Sequence, residues 1–196
     1  MLTERARQYL TSLERLRPVP TKEVERVLGE QGSPCFEVWL DFHERYAGYV
    51  EPLGGDQATW GIVHEGSRWM KPGQANVKKA HEVDVKWFVT CAAVHGSYTY
   101  ELGDTGMFRE RSAESFDIKV ERNAARVTFM REAVDRPRLW TKLDDPAFLE
   151  RVRRETTVVA EASDRFYRVL MGESLCVVED AQTREIVEAL TRGHRP

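Results

Sequence analysis

Histidine and cysteine are the residue types in this sequence best suited to acid–base, nucleophilic or metal chemistry. The histidines form no HExxH or other recognisable metal-ligand spacing. The cysteines are odd in number and far apart, so neither a disulfide scaffold nor a zinc knuckle is expected. We therefore predict no metal, no cofactor, and no catalytic histidine or cysteine. These residues are His43, His64, His81, His95 and His194, with Cys35, Cys91 and Cys176.

Cys91 and His95 form the closest cysteine–histidine pair in a predicted strand. At roughly 3.3 Å per residue they lie about 13 Å apart, too far for a thiolate–imidazole pair. Apolar neighbours favour a core role for Cys91. An enzyme whose site is assembled from dispersed residues remains the alternative, and its members would be His43, Cys91, His95 and Asp164.

Four carboxylates suggest binding rather than catalysis. Glu51, Asp56, Glu101 and Asp104 fall in or beside predicted loops of a sheet. Carboxylates at one sheet edge can meet a basic partner and steer its approach. We predict these four as partner-binding residues, with ordinary solubilising charge as the alternative.

Composition limits the class of protein. The chain has 196 residues, is 41% hydrophobic and 31% charged, and has a net charge of -3, so it can bury a core and has no general attraction for nucleic acid. No run approaches the roughly 18 apolar residues of a membrane span. The N-terminus lacks a signal-peptide pattern, which predicts a cytoplasmic protein. Nothing in the sequence indicates an oligomeric state.

Helical periodicity dominates the first 48 residues. Apolar residues from Leu2 to Leu16 recur at three- and four-residue steps, which predicts a first helix. Thr21 is expected to cap a second helix and Ser33-Pro34 to start a third. The third helix has an aromatic face that we expect to be buried: Trp39, Phe42 and Tyr46.

In the middle of the chain, alternating apolar and polar residues replace the helical period. Val83 to Val94 predicts a long central strand, covered on both faces toward its end. Turns at His95-Gly96 and Gly103 to Gly106 then lead to further strands, ending with Met107 to Arg111. Lys71 to Glu82 is polar and predicts a surface excursion. The arrangement is an antiparallel meander.

The last third of the chain contains both helical and strand patterns. Ser112 is expected to cap a helix, and Asp145-Pro146 opens another. Phe166 to Met171 and Ser174 to Val178 predict a small hairpin or two irregular strands, and Asp180 is expected to cap a last helix. The predicted fold is α+β: N-terminal helices packed on a mainly antiparallel sheet, with a further helix and a mixed C-terminal extension, in a single domain of residues 1–196.

Three segments together resemble the SMI1/KNR4, or SUKH, superfamily. The first is residues 33–48, SPCFEVWLDFHERYAG, where an aromatic helix is followed by a glycine that opens the sheet. The second runs from Trp87-Phe88-Val89 to Gly106-Met107-Phe108. The third, Ala113 to Asp117, is similar to the small-x-Ser-Phe that starts the family's next helix. The resemblance covers about residues 21–125 and leaves about 126–196 as an extension.

The resemblance implies an immunity protein. Bacterial members of the superfamily largely bind a polymorphic toxin and block it without doing chemistry. The expected function is therefore a non-catalytic protein-binding module whose partner is a cognate toxin. Besides the enzyme named above, a small-ligand-binding domain stays open, using the aromatic surface of Trp60, Trp69 and Trp87.

Overall fold

The computed structural model divides the chain into two compact units. The central unit is Thr11–Arg111, and the terminal unit joins Met1–Leu10 to Ser112–Pro196. The α+β class is confirmed, whereas the single-domain interpretation stays a prediction. The structure describes residues 1–53, 56–63, 77–79, 86–94, 98–108, 113–132, 138–139 and 143–192.

The elements follow in chain order. Helices are α1 (Glu4–Thr11), α2 (Thr21–Glu30), α3 (Glu37–Tyr46), α4 (Phe116–Arg131) and α5 (Pro146–Glu155), with a 3-10 helix at Ala160–Ala162. Strands are β1 (Glu14–Arg15), β2 (Tyr49–Leu53), β3 (Asp56–Trp60), β4 (Val77–Lys79), β5 (Trp87–Val94), β6 (Tyr98–Gly103), β7 (Arg138–Leu139), β8 (Thr157–Val158), β9 (Tyr167–Met171), β10 (Leu175–Asp180) and β11 (Ile186–Thr191).

The central unit has an antiparallel sheet in the order β1-β2-β3-β5-β4, with β6 also paired to β5. Strand β3 pairs with the end of β5, where Trp60 lies opposite Ala92. Strand β4 pairs with its beginning, where Lys79 lies opposite Trp87. The predicted meander is confirmed. The sequence analysis missed β4 because a three-residue strand in a polar segment has too few apolar positions to alternate.

Strand β5 is the centre of this sheet. Val89 and its three successors Thr90, Cys91 and Ala92 are all buried, so both faces of the strand are covered there, as predicted. The predicted residues 83–85 and the turn at 95–97 lie outside the described residues. Of the expected strand 107–111, Phe108 makes an isolated bridge with Leu102, and 109–111 are not described.

Helix α3 packs its aromatic face as predicted but begins later. Trp39, Phe42 and Tyr46 are buried, and the Trp39 indole Nε1–H donates to the Gly103 carbonyl at 2.9 Å. The helix begins at Glu37 rather than Pro34, because Phe36 is extended and packs edge-on against Trp39 with ring centroids 4.8 Å apart.

The connections around these helices also differ from the prediction. Helix α1 ends at Thr11 instead of reaching Leu16, because the backbone that follows is used by the sheet. Strand β1 pairs with β2, and the Leu16 N–H donates to the Gly48 carbonyl at 2.8 Å. Thr21 is the first residue of α2 and makes no side-chain cap; the preceding Pro20 occupies that place.

The terminal unit has its own antiparallel sheet in the order β7-β11-β10-β9-β8. One face packs against α5, where Phe148 and Val152 meet Leu175, Val177 and Ala189. The opposite face packs against α4 and the 3-10 helix, in clusters of Ala125, Val159, Ala162 and Val169, and of Phe129, Cys176 and Leu190. The predicted hairpin is β9 and β10, with Met171 opposite Cys176.

The last predicted helix is wrong. Residues 186–191 form β11, which lies between β7 and β10. Asp180 does accept two backbone N–H groups, from Gln182 and Thr183 at 2.8 Å each, but in a turn rather than at a helix start. An aspartate stabilises both geometries in the same way, so its presence alone could not distinguish them.

Helix starts in the terminal unit follow the capping rules. Asp145 caps α5 by accepting from the Ala147 N–H at 3.0 Å, as predicted. Helix α4 is capped by Ser115, whose hydroxyl accepts from the Ile118 N–H at 3.3 Å. The expected cap, Ser112, lies outside the described residues. Because the observed cap is Ser115, α4 begins about one turn later than predicted.

Candidate functional site

Two of the four predicted partner-binding carboxylates are buried in strands. Glu51 lies on β2 and accepts from the Trp60 indole Nε1–H at 3.0 Å. Glu101 lies on β6 opposite Thr90 of β5. Their exposed fractions are 6% and 4%. Both were expected in or beside loops and exposed to a partner. The structure places each within a strand with its side chain buried.

The other two lie near turns. Asp104 is half-buried in the turn after β6, and its Oδ2 accepts from the Trp87 N–H at 3.3 Å. Asp56 is the first residue of β3, and its side chain is outside the described part of the structure. A partner-binding role for these carboxylates stays a prediction.

His43 has a structural environment. The side chain is buried in α3, with Nε2 2.8 Å from the Val19 carbonyl and Nδ1 3.0 Å from the Ile62 N–H. Nδ1 accepts from that N–H, which leaves the ring proton on Nε2 to donate to Val19. Burial lowers the pKa of His43, partly opposed by the Val19 hydrogen bond. Both ring nitrogens are thus bonded to backbone groups, and the imidazole is in its neutral form.

The cysteines do not form a nucleophilic site in the described residues. Cys91 is fully buried in β5, and its thiol lies 3.4 Å from the Tyr100 carbonyl. Burial raises the pKa of Cys176 to about 11, which disfavours the thiolate. Cys35 is exposed and its pKa is also raised, by partial burial and the nearby Glu25.

The remaining residues of the alternative sites belong to different units or lie outside the described residues. Asp164 is in the terminal unit, whereas His43 and Cys91 are in the central unit. Trp60 is fully buried and Trp87 half-buried, so Trp60 offers no exposed aromatic surface. His95 and Trp69 lie outside the described residues.

The Asp164 side chain is fully buried and bonded from several sides. Its carboxylate accepts from the backbone N–H groups of Glu114, Phe166 and Tyr167, each at 2.9 Å. It also pairs with the Arg122 guanidinium at 2.7 Å. These contacts hold the Arg122 side chain of α4 beside the residues that lead into β9. Burial lowers the pKa of that guanidinium.

The outer face of α3 carries carboxylates at helical spacing. Glu37, Asp41 and Glu44 are all exposed and follow one another at steps of four and three residues, so they share one face. Asp41 pairs with Arg45 at 3.1 Å. We call Glu37, Asp41 and Glu44 the α3 outer face. The i, i+4, i+7 spacing of these carboxylates is visible in the sequence, but the predicted partner-binding residues were all in the sheet region.

A cleft of about 310 Å³ lies in the terminal unit between α4 and the sheet. Its floor is apolar: Val169, Cys176, Val178, Val187 and Leu190. Its polar groups are Arg122, Asn123 and Arg126 of α4, with Tyr167 and Glu188 from the strands. The sequence analysis did not identify this cleft, although the i, i+4 spacing of Arg122 and Arg126 is a visible signal.

Two arginine contacts shape this cleft. The Arg122 guanidinium lies 5.3 Å from the centre of the Tyr167 ring, and its Nε–H donates to the Ala162 carbonyl at 3.0 Å. Arg126 pairs with Glu188 at 3.1 Å, with 52% and 31% of the two side chains exposed. Arg122 is therefore fixed from several sides, whereas the Arg126–Glu188 pair is open to solvent.

Metal binding and membrane insertion have no support in the part of the chain that the structure describes. No group of three or more histidine, cysteine or acidic residues in the described ranges has the geometry to hold a metal ion. Within the same ranges, every helix is too short or too polar to cross a membrane.

Comparison with known proteins identifies no relative: no family model, curated protein or solved structure matches this chain.

Proposed function

We propose that this protein is a non-catalytic protein-binding module, an immunity protein that neutralises a polymorphic bacterial toxin by direct binding. The observation that carries the proposal is the order of elements in the central unit and just after it. An aromatic helix α3 is followed by antiparallel strands and then by α4. This is the order that the resemblance to the SUKH superfamily implies, and a cytoplasmic location is part of the same proposal.

The positions of individual residues in the fold support this proposal. Gly48 separates α3 from β2 and has φ of +88°, a conformation that favours glycine at the point where the sheet opens. Its N–H donates to the Trp60 carbonyl at 2.8 Å. Ser115 and Phe116 start α4, as the small-x-Ser-Phe segment implies.

The proposed function is non-catalytic because the reactive side chains already have structural roles. His43 has both ring nitrogens bonded to backbone groups, and Cys91 is fully buried. Reacting groups must reach a substrate at hydrogen-bond distance, which buried and bonded side chains do not allow without rearrangement.

The partner is proposed to be basic. The central unit contains more acidic than basic residues, whereas the terminal unit contains equal numbers. If the toxin is a nuclease, its cleft is basic because it holds phosphates. Because Glu51 and Glu101 are buried, the exposed carboxylates of the α3 outer face are better candidates for the first contact.

The test uses the toxin encoded by a neighbouring gene. One equivalent of the purified protein is expected to abolish the toxin's activity and to form a 1:1 complex. The double variant Glu37→Lys/Glu44→Lys should associate about tenfold more slowly at low salt, with a weaker salt dependence. These residues lie in the first and last turns of α3, so their effects on the helix dipole have opposite signs.

The matched control is Glu150→Lys/Glu173→Lys, which reverses two exposed carboxylates of the terminal unit. It should associate like the unaltered protein. The proposal fails if a molar excess leaves the toxin fully active. It also fails if the protein turns over a small molecule in a reaction that requires His43 or Cys91.

A further inference from the structure

We propose that the cleft between α4 and the terminal unit's sheet binds a small organic carboxylate with an apolar body. This inference is independent of toxin binding. It rests on the shape of the cleft, an irregularity in β11 and the arrangement of two arginines.

The irregularity is a β-bulge at Val187. Val178 of β10 pairs with Glu188, and the next residue, Glu179, pairs with Ile186, so Val187 has no residue opposite it. The extra residue lets Val187 and Glu188 both line the cleft, although successive side chains of a regular strand point to opposite faces. Ile186 meanwhile packs with the cluster on the α5 face.

The bulge leaves an apolar surface uncovered. Val187 is 49% exposed, although valine favours half-buried strand positions. Helix α4 covers the neighbouring Cys176 and Leu190 through Phe129. The cleft therefore has a packed apolar floor at one end and an exposed apolar rim at the other. An apolar ligand body would bury that rim.

The arginines determine the charge of the ligand. Arg122 and Arg126 are four residues apart on α4, so they project from the same helix face. Asp164 already holds Arg122, with its own side chain fully buried. Arg126 instead pairs with the half-buried Glu188 and is itself about half exposed, and pairs that solvent can reach contribute little to stability. A ligand carboxylate can replace Glu188 as the partner of Arg126 at small cost.

The volume determines the class of ligand. About 310 Å³ lies at the lower end of the range for small-molecule sites and is too small for a peptide helix. Apolar walls with a few polar groups that fix orientation are the usual composition of such sites. The occupant is therefore a small molecule whose carboxylate meets Arg126 and whose body lies over Val178 and Val187.

The experiment titrates the full chain with 1-naphthoate and, separately, with the neutral 1-naphthylmethanol, followed by amide NMR shifts. We expect saturable binding of naphthoate, with the largest shifts at Val178, Val187 and Leu190. The alcohol should bind at least tenfold more weakly. Arg126→Gln should weaken naphthoate binding at least fivefold, and Glu188→Gln should strengthen it about threefold by removing the competing carboxylate.

The matched controls are Arg153→Gln and Glu150→Gln, which break a comparable exposed pair on α5. They should leave the dissociation constant unchanged. The inference is overturned if naphthoate shows no saturable binding at millimolar concentration or if the alcohol binds equally well. It is also overturned if the Arg126 and Glu188 variants differ no more than the controls.

Discussion

His43 illustrates how a residue type suited to catalysis can be used by the fold. Its imidazole joins the Val19 carbonyl to the Ile62 N–H, so one side chain satisfies two buried backbone groups. Unpaired, such groups would cost free energy on burial. The geometry needs one ring nitrogen to accept a hydrogen bond, which only the neutral ring can do.

This requirement predicts a pH dependence of stability. Burial lowers the pKa of His43 in the folded protein below its unfolded value of about 6.5. The unfolded chain therefore binds more protons just below pH 6.5, and the free energy of unfolding should fall as pH falls through that window. Denaturant unfolding between pH 5 and 7 measures this slope.

The control is His43→Phe, which is expected to be less stable at pH 7 but to show a smaller slope over the same range. The other histidines contribute equally to both proteins. Direct NMR titration of the His43 ring should give a pKa below 6.5. A value at or above 6.5 would contradict the assignment of a neutral bridging ring.

At the scale of elements, α4 depends on a local cap and on distant packing. Ser115 supplies the cap at its start. At its end, the Arg192 guanidinium donates to the Phe129 carbonyl at 2.7 Å and lies 4.1 Å from the Phe129 ring centre. Both ends thus have partners for backbone groups that the helix itself cannot satisfy.

The cap gives a prediction with a simple rescue. Ser115→Ala should lower the free energy of unfolding by about 1 kcal/mol, because the Ile118 N–H loses its acceptor. Ser115→Asp should restore most of that loss, since aspartate caps as well as serine and adds a favourable charge near the helix dipole. Equal stability of the alanine and unaltered proteins in urea unfolding would show that this hydroxyl does not cap α4.

At the scale of the whole molecule, the first ten residues belong with the C-terminal half of the chain. The buried Glu121 carboxylate of α4 accepts from the Thr3 N–H at 2.6 Å and from the Thr3 hydroxyl at 2.7 Å. Arg5 lies 3.6 Å from the same carboxylate and pairs with Glu161 at 3.0 Å. Ala6 is fully buried. The terminal unit is therefore assembled from both ends of the sequence.

This assembly predicts that the N-terminus stabilises strands far from it in sequence. Thr3→Val should cost about 1.5–3 kcal/mol, the usual range for a hydrogen bond to a charged group. Deletion of residues 1–10 should cost more and should speed amide exchange in β9, β10 and β11. The exposed Arg7→Gln is the control. Unchanged exchange after the deletion would mean that the terminal unit does not need this segment.

The sequence by itself determined those features whose signals are local. The aromatic stripe of α3 predicted its buried face because residues at helical spacing must share a surface. The alternation from Val83 to Val94 predicted a strand, and the apolar second face toward its end predicted burial on both sides. Asp145-Pro146 predicted the start of α5, since the cap and the proline act within one turn. The sequence identified the candidate carboxylates by residue type, but it did not show which of their side chains are buried.

The tertiary structure alone decided which strands and side chains became neighbours. Residues 186–191 are a strand because β7 and β10 supply hydrogen-bond partners on both sides. Glu51 is buried because the Trp60 indole on the adjacent strand donates to it. The cleft exists because a bulge in β11 lies beside two arginines of α4. In each case the outcome depends on a partner in another element, and the periodicity of a single segment does not contain that partner.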